Sequence, residues 1–451
     1  MMGVLQGKTY FIRTFGCQMN LHDAERVSGL LDSCGCLEVA QPADADIVVF
    51  MTCCVREAAD TRLYGQCSSC KSLPAPPCGR RVIAVGGCIA QRDGAGLLTN
   101  VDNVNVIFGT HSIAHVAELI ADAFEDGGRH IRCEEQEDTD ATSMPWHRAT
   151  DYHAWVPIMT GCNNFCSYCI VPYVRGREKS RAMEQILDEV TGLVRSGVRE
   201  VTLLGQNVNS YGRDLFGEPR FAELLRRVGE TGVDRITFTS SHPKDLLPET
   251  IDAMAETPAV MPHLHLAVQS GSSRILKLMN RRYTRERYLE LVAALRDRIP
   301  GIALTTDIIV GFPGETEDDF QETLSLAREV GFAQAFTFIY SKRAGTPAAE
   351  IDDPTSHEEL IDRFDRLKAV IEDTAFAFNQ HALGATVPVL VEGASKKDAR
   401  MIQAKSPWNQ TVHAPVPEGS CAEALIGKIV DVRIDAARTY YLSGLLAGVP
   451  R

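Results

Sequence analysis

Short apolar runs alternate with amphipathic stretches along the N-terminal part of the chain. The runs at residues 9–14, 47–51 and 82–85 predict β-strands, and residues 24–31 predict a helix. Strands that alternate with helices are typical of a parallel α/β sheet. We therefore predict an open parallel α/β domain over residues 1–130.

The alternation of strand and helix then repeats about six times through residues 148–380. Predicted strands lie at residues 156–159, 200–204, 235–239, 263–268, 303–310 and 335–339. Predicted helices include residues 183–194 and residues 317–330, and Gly331 after the second is a usual C-terminal stop. This pattern predicts a partial (β/α) barrel, in which active sites gather at the carboxyl ends of the strands.

Residues 381–447 have a different pattern, with short alternating runs separated by polar turns. This pattern predicts a small β-barrel. The segment has more basic than acidic residues, although the whole chain has a net charge of −13. Such a barrel suits RNA binding, with Trp408, His413 and Tyr440 as candidates for stacking on bases. A packing module without a ligand is the alternative.

Length and composition indicate several domains, since 451 residues correspond to roughly three. The acidic run at residues 133–140 predicts a linker over residues 131–147. No apolar run approaches the roughly 20 residues of a membrane helix, and the N-terminus lacks a signal-peptide pattern. The 14 cysteines favour metal binding in a reducing compartment. We therefore expect a cytoplasmic protein with no membrane partner.

Cys162, Cys166 and Cys169 form the pattern C-x3-C-x2-C on one polar segment. Thiolates normally hold a 4Fe-4S cube four at a time, so three of them leave one iron open to another ligand. Zinc suits the pattern less well, because zinc sites favour paired cysteines and four ligands. Buried structural thiols are the other alternative, but the polar neighbours do not resemble a core. We predict a cluster with an open iron here.

Three further cysteines follow predicted strands of the N-terminal domain, namely Cys17, Cys53 and Cys88. In open α/β sheets, ligands bind outside the carboxyl ends of the strands, so these thiols are candidates for one shared site. Gly86 and Gly87 are expected to let the backbone approach a bulky inorganic group. The alternative is that the three cysteines are unrelated.

Polar residues also follow the predicted strands of the barrel. They are Gln206 and Asn207, Ser240 to His242, Gln269 and Ser270, Asp307 to Gly311, and Tyr340 with Ser341. Some are expected to be turn formers or helix caps. Their common position predicts a polar cofactor pocket at the carboxyl ends of the strands.

The triplet Cys162, Cys166 and Cys169 resembles that of the radical S-adenosylmethionine superfamily. The resemblance implies that the cofactor's amino and carboxylate groups bind the open iron, and that one electron cleaves the cofactor to a 5′-deoxyadenosyl radical. Tyr168 matches the aromatic position that packs on the adenine in that superfamily. Candidates for holding the polar groups of the cofactor are Gln206, Gln269 and Asp307.

Nearly the whole chain resembles the methylthiotransferase family. Three motifs look like its N-terminal domain: FGCQMN at residues 15–20, TCCVRE at 52–57 and VGGC at 85–88. The resemblance implies that Cys17, Cys53 and Cys88 hold a second 4Fe-4S cluster. The C-terminal barrel resembles the TRAM domain, an RNA-binding module.

Four further motifs are closest to the branch that acts on tRNA already carrying dimethylallyladenosine: CSYCIVPYVRGREKSR, LGQNVNSY, QSGSSRILKLMNRRYT and TDIIVGFPGETEDDF. That branch makes 2-methylthio-N6-dimethylallyladenosine beside the anticodon, and the VRE after Cys54 favours it. Two positions depart from the family pattern, with Met51 in place of Asn and Cys54 in place of Ser. Cys53 and Cys54 are thus both candidates for one ligand position, and the Thr-Cys register favours Cys53.

The resemblance implies two uses of S-adenosylmethionine. One methylates sulfur carried on the N-terminal cluster, and the other generates a radical that removes hydrogen from carbon 2 of the substrate adenine. The adenyl radical then takes up the methylthio group. Breaking this aromatic C–H bond requires a radical that a cofactor supplies, because no side chain supplies one. A low-potential electron donor and a sulfur source are also required, and we expect a monomer.

Two basic groups are candidates for contacts with tRNA phosphates, which position RNA without specifying its sequence. The first consists of Arg175, Arg177, Lys179 and Arg181, and the second of Arg281, Arg282, Arg285 and Arg287. Each group is equally well explained as a solvated surface.

Two alternative functions stay open from the sequence. The first is the same chemistry on threonylcarbamoyladenosine in tRNA or on a ribosomal-protein aspartate. The second is a non-catalytic iron–sulfur regulator that binds RNA, which would form no 5′-deoxyadenosine.

Overall fold

The structure, a computed structural model, describes residues 2–54, 57–76, 78–134, 146–417, 419 and 421–448. Most of the predicted acidic linker lies outside these residues, as do Val55 and Arg56 of the TCCVRE motif. The chain divides into two compact units. The first comprises Met1–Ala149, Thr160–Phe165 and Cys169–Lys179, and the second comprises Thr150–Met159, Cys166–Tyr168 and Ser180–Arg451.

A six-stranded parallel sheet forms the centre of the first unit. Its strands are β1 (Thr9–Thr14), β2 (Leu37–Glu38), β3 (Ile47–Thr52), β4 (Val82–Gly87), β5 (Val106–Phe108) and β6 (His130–Arg132). They lie in the order β2-β1-β3-β4-β5-β6, and all neighbouring pairs are parallel. The central strands β3 and β4 are buried at every residue, which explains their continuous apolar sequences.

Helices cover both faces of this sheet. They are α1 (Met2–Leu5), α2 (Gln18–Ser33), α3 (Glu57–Ser69), α4 (Cys88–Asp93), α5 (Val116–Asp126) and α6 (Val171–Val174). Apolar side chains of α2 and α5 pack with Val49 and Met51 on one face, and those of α3, α4 and α6 pack with Val48 and Phe50 on the other. The predicted open parallel α/β fold is confirmed.

The sequence pattern missed several elements of this unit. Strands β2, β5 and β6 contain only two or three residues each, too few for a recognisable alternation. Helix α5 was also missed, and the helix predicted at residues 24–31 extends over Gln18–Ser33.

Six parallel strands form a partial barrel in the second unit. The barrel strands are β7 (His153–Pro157), β10 (Glu200–Leu204), β11 (Arg235–Phe238), β12 (His263–His265), β13 (Ala303–Val310) and β14 (Gln334–Ile339). The short strands β8 (Met159–Thr160) and β9 (Lys179–Ser180) pair with each other in a separate two-stranded sheet. The barrel strands form two sheets, β7-β10-β11 and β12-β13-β14, joined by bridges from Ile236 to Val260 and from Ser241 to Leu266. The predicted partial barrel is confirmed, although β7 begins earlier and β12 ends earlier than the sequence suggested.

The helices of this unit pack around the barrel strands in one large apolar core, except for the short helix Arg213–Phe216, which has no buried residue. They are α7 (Met183–Arg195), α8 (Arg213–Phe216), α9 (Phe221–Gly229), α10 (Pro248–Glu256), α11 (Ser273–Leu278), α12 (Arg285–Arg298), α13 (Glu317–Val330) and α14 (His357–Gln380). Helix α13 has the predicted bounds, because Thr316 and Asp319 form a capping box and Gly331 ends it in a left-handed conformation. No helix in the described part of the chain has the length and apolarity to cross a membrane.

The C-terminal part of the second unit is a closed five-stranded barrel, as predicted. Its strands are β15 (Thr386–Ala394), β16 (Met401–Lys405), β17 (Thr411–Pro415), β18 (Ile429–Ala437) and β19 (Tyr441–Leu446), in the order β15-β16-β17-β19-β18. Of the three predicted stacking residues, Tyr440 is 65% exposed. Trp408 packs against the barrel core, and His413 is half-buried.

The two barrels of the second unit meet at the amino ends of β10 and β11. Arg235 is buried there, with its Nε 2.7 Å from Oε2 of Glu200. Its terminal nitrogens donate to the main-chain oxygens of Lys405 at 3.0 Å and Ser406 at 2.8 Å. The hydroxyl of Tyr152 donates to the main-chain oxygen of Glu392 at 3.2 Å. The contact therefore lies at the end of the barrel opposite the predicted pocket.

Candidate iron–sulfur and cofactor sites

Three cysteines meet at the carboxyl edge of the N-terminal sheet. Cys17 is the N-cap of α2, Cys53 directly follows β3, and Cys88 begins α4 directly after β4. Strands β1, β3 and β4 are parallel neighbours, so their carboxyl ends share one edge. The thiols of Cys17 and Cys53 are hydrogen-bonded, and Cys17 lies close enough to Cys88 to act on it electrostatically. The structure thus brings the three side chains together.

A fourth thiol lies at the same edge. Cys54 has an exposed fraction of 0% and is hydrogen-bonded to Cys88. This bond lowers the pKa of Cys88 to about 7 and, together with burial, raises the pKa of Cys54. The hydrogen bond from Cys53 lowers the pKa of Cys17 to about 6. The lowered pKa values favour the thiolate form of Cys17 and Cys88, the form that binds metal, and the raised pKa favours the protonated form of Cys54.

Glycines at this edge make room for protein atoms. A Cβ on Gly16, where φ is +116°, would lie 2.1 Å from Cβ of Cys53. A Cβ on Gly87 would lie 2.6 Å from the main-chain oxygen of Thr52, and one on Gly86 would lie 2.1 Å from the ring of Phe108. The expectation that Gly86 and Gly87 let the backbone approach an inorganic group stays a prediction, because these contacts are with protein atoms. Close packing of the strand ends explains both residues.

Arg175 is buried beside these thiols, with 6% of its surface exposed. Its Nη2 donates to Oδ2 of Asp23 at 2.7 Å and to Oδ1 of Asn20 at 2.8 Å, and its guanidinium hydrogen-bonds to the thiol of Cys88. Burial raises the pKa of Asp23, but the charges of Arg175 and His22 outweigh this effect and lower it to about 2. This burial contradicts the predicted contact of Arg175 with RNA.

The loop that bears Cys162, Cys166 and Cys169 is divided between the two units. In the first unit, the main-chain N–H of Cys162 donates to the oxygen of Gly176 at 3.1 Å. Cys169 stands just before α6 in the same unit. Arg177 is exposed, and its guanidinium lies 4.3 Å from the centre of the Phe165 ring.

In the second unit, Cys166 is buried beside a second arginine. Nη1 of Arg281 lies 3.5 Å from Sγ of Cys166, and Nη2 donates to the main-chain oxygen of Ala267 at 2.6 Å. Arg281 is 4% exposed, which contradicts its predicted contact with RNA. The neighbouring Arg282 is exposed.

The residues after Cys166 are anchored to the same region of the second unit. The main-chain N–H of Ser167 donates to the oxygen of Met279 at 3.0 Å, and its hydroxyl donates to the oxygen of Leu278 at 2.8 Å. Tyr168 packs against a small apolar cluster that includes Phe312. The predicted adenine-packing residue is therefore half-buried on an apolar surface.

Unpaired polar atoms gather at the carboxyl ends of the barrel strands. Within the part of the chain that the structure describes, buried atoms without a hydrogen-bond partner include Oε1 of Gln206, Oδ1 of Asn207, Oγ of Ser241, Nε2 of His242 and Oη of Tyr340. An unpaired buried polar atom is unfavourable, so this group fits a polar ligand. The chemistry of these atoms suits the amino, carboxylate and ribose groups of S-adenosylmethionine.

His242 is a neutral hydrogen-bond donor in this group. Burial lowers its pKa well below the usual value, and the charges of Arg281 and Lys244 lower it further. Its Nδ1 accepts a hydrogen bond from the main-chain N–H of Lys244 at 3.2 Å. The remaining proton is therefore on Nε2.

Gln269 follows β12 and lies beside Asp307, which is within the carboxyl half of the neighbouring strand β13. The main-chain N–H of Gln269 donates to the oxygen of Asp307 at 2.8 Å, and Gln269 has a left-handed backbone with φ of +69°. Oδ2 of Asp307 lies 3.3 Å from Nε2 of His265. Gln269 is buried and Asp307 is half-buried. Both residues are thus at the level of the predicted pocket.

Asn20 and Asp23 were missed as site residues by the sequence reasoning. Both lie in the first turns of α2 directly after Cys17, and this proximity was the only available signal. No set of three Cys, His, Asp or Glu side chains among the described residues is arranged to hold a single metal ion. A 4Fe-4S cluster is a larger group than one ion, so the cysteine sets are better compared with a cluster.

The chain matches three family models in succession. The uncharacterized protein family UPF0004 matches residues 9–109, the radical SAM superfamily matches residues 156–327, and the TRAM domain matches residues 380–447. The first match covers the parallel sheet up to β5, the second covers the partial barrel up to β13, and the third covers the closed barrel.

Similar proteins cover almost the whole chain. A tRNA-2-methylthio-N(6)-dimethylallyladenosine synthase of Acetivibrio thermocellus is 46% identical, over 97% of this chain and 90% of the relative. Synthases of the same name from Acidothermus cellulolyticus and Carboxydothermus hydrogenoformans are 47% and 45% identical, over 96% and 97% of this chain and 87% and 99% of the relatives.

Two solved structures share the fold. The radical S-adenosylmethionine methyltransferase TsrM from Kitasatospora setae has a TM-score of 0.53 at 13% identity, over 76% of this chain and 77% of that chain. The cobalamin-dependent S-adenosylmethionine radical enzyme OxsB has a TM-score of 0.52 at 12% identity, over 82% of this chain and 56% of that chain. At such identities the likeness concerns the fold alone.

Proposed function

Because the chain belongs to the family of tRNA-2-methylthio-N6-dimethylallyladenosine synthases, we propose that it adds a methylthio group to carbon 2 of N6-dimethylallyladenosine beside the anticodon of tRNA. The observation that carries this proposal is the meeting of Cys17, Cys53 and Cys88 at one sheet edge, in a chain that also bears the triplet of radical S-adenosylmethionine enzymes. The cofactors are two 4Fe-4S clusters and S-adenosylmethionine.

The N-terminal cluster is assigned to Cys17, Cys53 and Cys88. The thiolate character of Cys17 and Cys88 supports this assignment, as does the contact between Cys17 and Cys53. The second cluster is assigned to Cys162, Cys166 and Cys169 on the basis of their spacing. Three thiolates at each cluster leave one iron available to another ligand.

S-adenosylmethionine is assigned to the carboxyl ends of the barrel strands. Bound at a reduced cluster, it supplies the radical that no side chain provides. Tyr168 would offer an apolar ring surface for the adenine, and Gln206, Gln269 and Asp307 would hold the polar groups of the cofactor. His242 supplies a fixed N–H donor, because its Nδ1 is already occupied.

The protein supplies orientation and exclusion of water. Buried Cys166 and the apolar cluster around Tyr168 keep solvent from this part of the loop. The anchoring of Ser167 to the end of α11 fixes the direction of the neighbouring side chains. Such orientation limits the radical to the intended C–H bond.

The substrate is tRNA, and the TRAM barrel is the predicted RNA-binding module. Exposed Arg177 and Arg282 are retained as candidates for phosphate contacts, and Tyr440 is retained for stacking. The reaction requires a low-potential electron donor and a sulfur source. The enzyme is proposed to act in the cytoplasm, in agreement with its tRNA substrate, and to be a monomer.

Anaerobic reconstitution tests both the clusters and the reaction. We expect iron and sulfide for two 4Fe-4S clusters in the unaltered protein, and for one cluster when either set of three cysteines is changed to Ala. With reductant, S-adenosylmethionine and tRNA, the unaltered protein should form 5′-deoxyadenosine and the methylthiolated nucleoside, as measured by mass spectrometry.

Two outcomes would contradict the proposal. Cluster and RNA binding without 5′-deoxyadenosine would indicate a regulator instead of an enzyme. Persistence of 2-methylthio-N6-dimethylallyladenosine in tRNA from a strain that lacks this protein would exclude the proposed substrate.

A further inference from the structure

Arg175 is a buried cation whose partners are all in the N-terminal cysteine site. Its Nη2 is taken by Asp23 and Asn20, and the guanidinium also reaches the thiol of Cys88. Arginine has five N–H donors in a rigid fork, so one side chain serves all three partners. No role for this residue follows from the spacing of the cysteines.

The charges around Arg175 indicate what it compensates. Asp23 is an anion with 4% of its side chain exposed, and the ionised forms of Cys17 and Cys88 also act on Arg175. A buried charge is unfavourable unless it is paired. One carboxylate balances one guanidinium, and cysteines that ligate iron do so as thiolates, so a bound cluster adds negative charge beside Arg175.

We propose that Arg175 is a positioning residue for the N-terminal 4Fe-4S cluster: its N–H groups orient the Cys88 thiolate, and its positive charge raises the reduction potential of the cluster. The inference rests on the proposed assignment of Cys17, Cys53 and Cys88 as ligands. Hydrogen bonds to the sulfurs and net charge both set the potential of such clusters. A nearby cation favours the reduced cluster because reduction adds negative charge.

The position of Arg175 in the chain gives it a second effect. It directly follows α6, a helix of four residues, and Cys169 stands just before the same helix. Val174 packs in the core of the first unit, and its main-chain oxygen accepts a hydrogen bond from Oγ1 of Thr110 at 2.7 Å. Arg175 and Cys169 are therefore the two ends of one short, fixed segment. The pairing of Arg175 at the N-terminal cysteine site therefore also anchors the segment that bears Cys169 within the first unit.

The test uses the full-length protein with Cys162, Cys166 and Cys169 changed to Ala, so that all bound iron reports on the N-terminal site. In this parent protein we compare Arg175→Gln, Arg175→Lys and the double change Asp23→Asn with Arg175→Gln. The measurements are iron content, the electron paramagnetic resonance of the reduced cluster, and its midpoint potential.

We expect Arg175→Gln to shift the potential to a more negative value or to lose most of the iron. Arg175→Lys keeps the positive charge but lacks the planar set of N–H donors. Its midpoint potential should therefore lie between those of the parent and of Arg175→Gln. The double change removes the unpaired carboxylate, so it should fold even if Arg175→Gln does not. Its potential should still lie below that of the parent, because the bond to Cys88 is absent.

Arg177→Gln is the matched control, because Arg177 is an exposed arginine on the same segment. It should change neither iron content nor potential. Unchanged iron and potential in both Arg175→Gln and the double variant would overturn the inference, whatever the affinity for tRNA. If the parent protein itself bound no cluster, the ligand assignment would fail, and the inference with it.

Discussion

Cys53 and Cys54 are adjacent in the chain, but their thiols have different partners. Cys53 is hydrogen-bonded to Cys17, and Cys54 is hydrogen-bonded to Cys88. The side chains of Cys53 and Cys54 point in different directions after β3, and their partners Cys17 and Cys88 lie at the same edge of the sheet. The site therefore contains four thiols in two hydrogen-bonded pairs.

This difference predicts separate effects of two matched substitutions. In protein lacking the Cys162, Cys166 and Cys169 thiols, Cys53→Ser should reduce bound iron from about four per chain to nearly none, since a ligand is lost. Cys54→Ser should retain the iron, because its hydroxyl still donates to Cys88. Iron and sulfide determinations after anaerobic reconstitution check both. Loss of iron in Cys54→Ser with retention in Cys53→Ser would make Cys54 the ligand.

Residue chemistry explains which site positions were readable from the sequence. Cys17, Cys53 and Cys88 follow apolar runs, and parallel strands place their ends at one edge. The burial of Arg175 was not readable, because its partner Asp23 is 152 positions away and looks like an ordinary polar residue of a helix. Arg281 was misread for the same reason, since its contact with Cys166 joins residues 115 positions apart.

At the scale of elements, a buried ion pair joins the closed barrel to the partial barrel. Burial raises the pKa of Glu200 and lowers that of Arg235, so desolvation opposes both charges despite their contact. The two main-chain oxygens near β16 add polar partners for Arg235. Such a pair contributes to a specific arrangement more than to net stability.

We therefore expect Arg235→Leu to destabilise the protein by about 3–5 kcal/mol, because Glu200 is left buried and unpaired. The double change Arg235→Leu with Glu200→Leu should recover most of this loss. Thermal unfolding of the single and double variants measures the difference. An equally low melting temperature in both would show that the contacts to Lys405 and Ser406 matter more than the ion pair.

The strands and helices were readable where they are long. Glu317–Val330 has its predicted bounds because a capping box and a left-handed glycine mark its ends. Strand β12 ends at His265, earlier than the apolar run suggests, since the chain after it continues with only isolated bridges at Leu266 and Gln269. Local pattern records apolar character, whereas strand ends depend on pairing with distant residues.

At the scale of the whole molecule, a net charge of −13 opposes binding of a polyanion. Affinity for tRNA must then come from local basic groups on the surface. Arg177 and Arg282 are exposed, in contrast to the buried arginines at the cysteine sites. Arg177 is two positions after Arg175, and Arg282 directly follows Arg281, so both are close in sequence to the buried arginines.

Changing both Arg177 and Arg282 to Gln should weaken tRNA binding and reduce its dependence on salt. Each phosphate contact contributes roughly 0.7–0.9 to the slope of log K against log salt concentration, so the slope should fall by up to about twice that amount. Binding titrations at several salt concentrations measure it. Arg298→Gln is the control, because Arg298 is exposed but already paired with Asp252 and Glu256. An unchanged slope in the double variant would remove both residues from the interface.

The first unit is not continuous in the chain, because it takes in Thr160–Phe165 and Cys169–Lys179 after Ala149. During synthesis on the ribosome, the N-terminal sheet therefore emerges well before Arg175 does. Until then, Asp23 lacks its cation, and the cysteine edge has an uncompensated carboxylate beside it. Insertion of iron into this edge is accordingly best timed after the nascent chain has passed Lys179, and a fragment that stops at Ala149 would be a poor substitute for the natural domain.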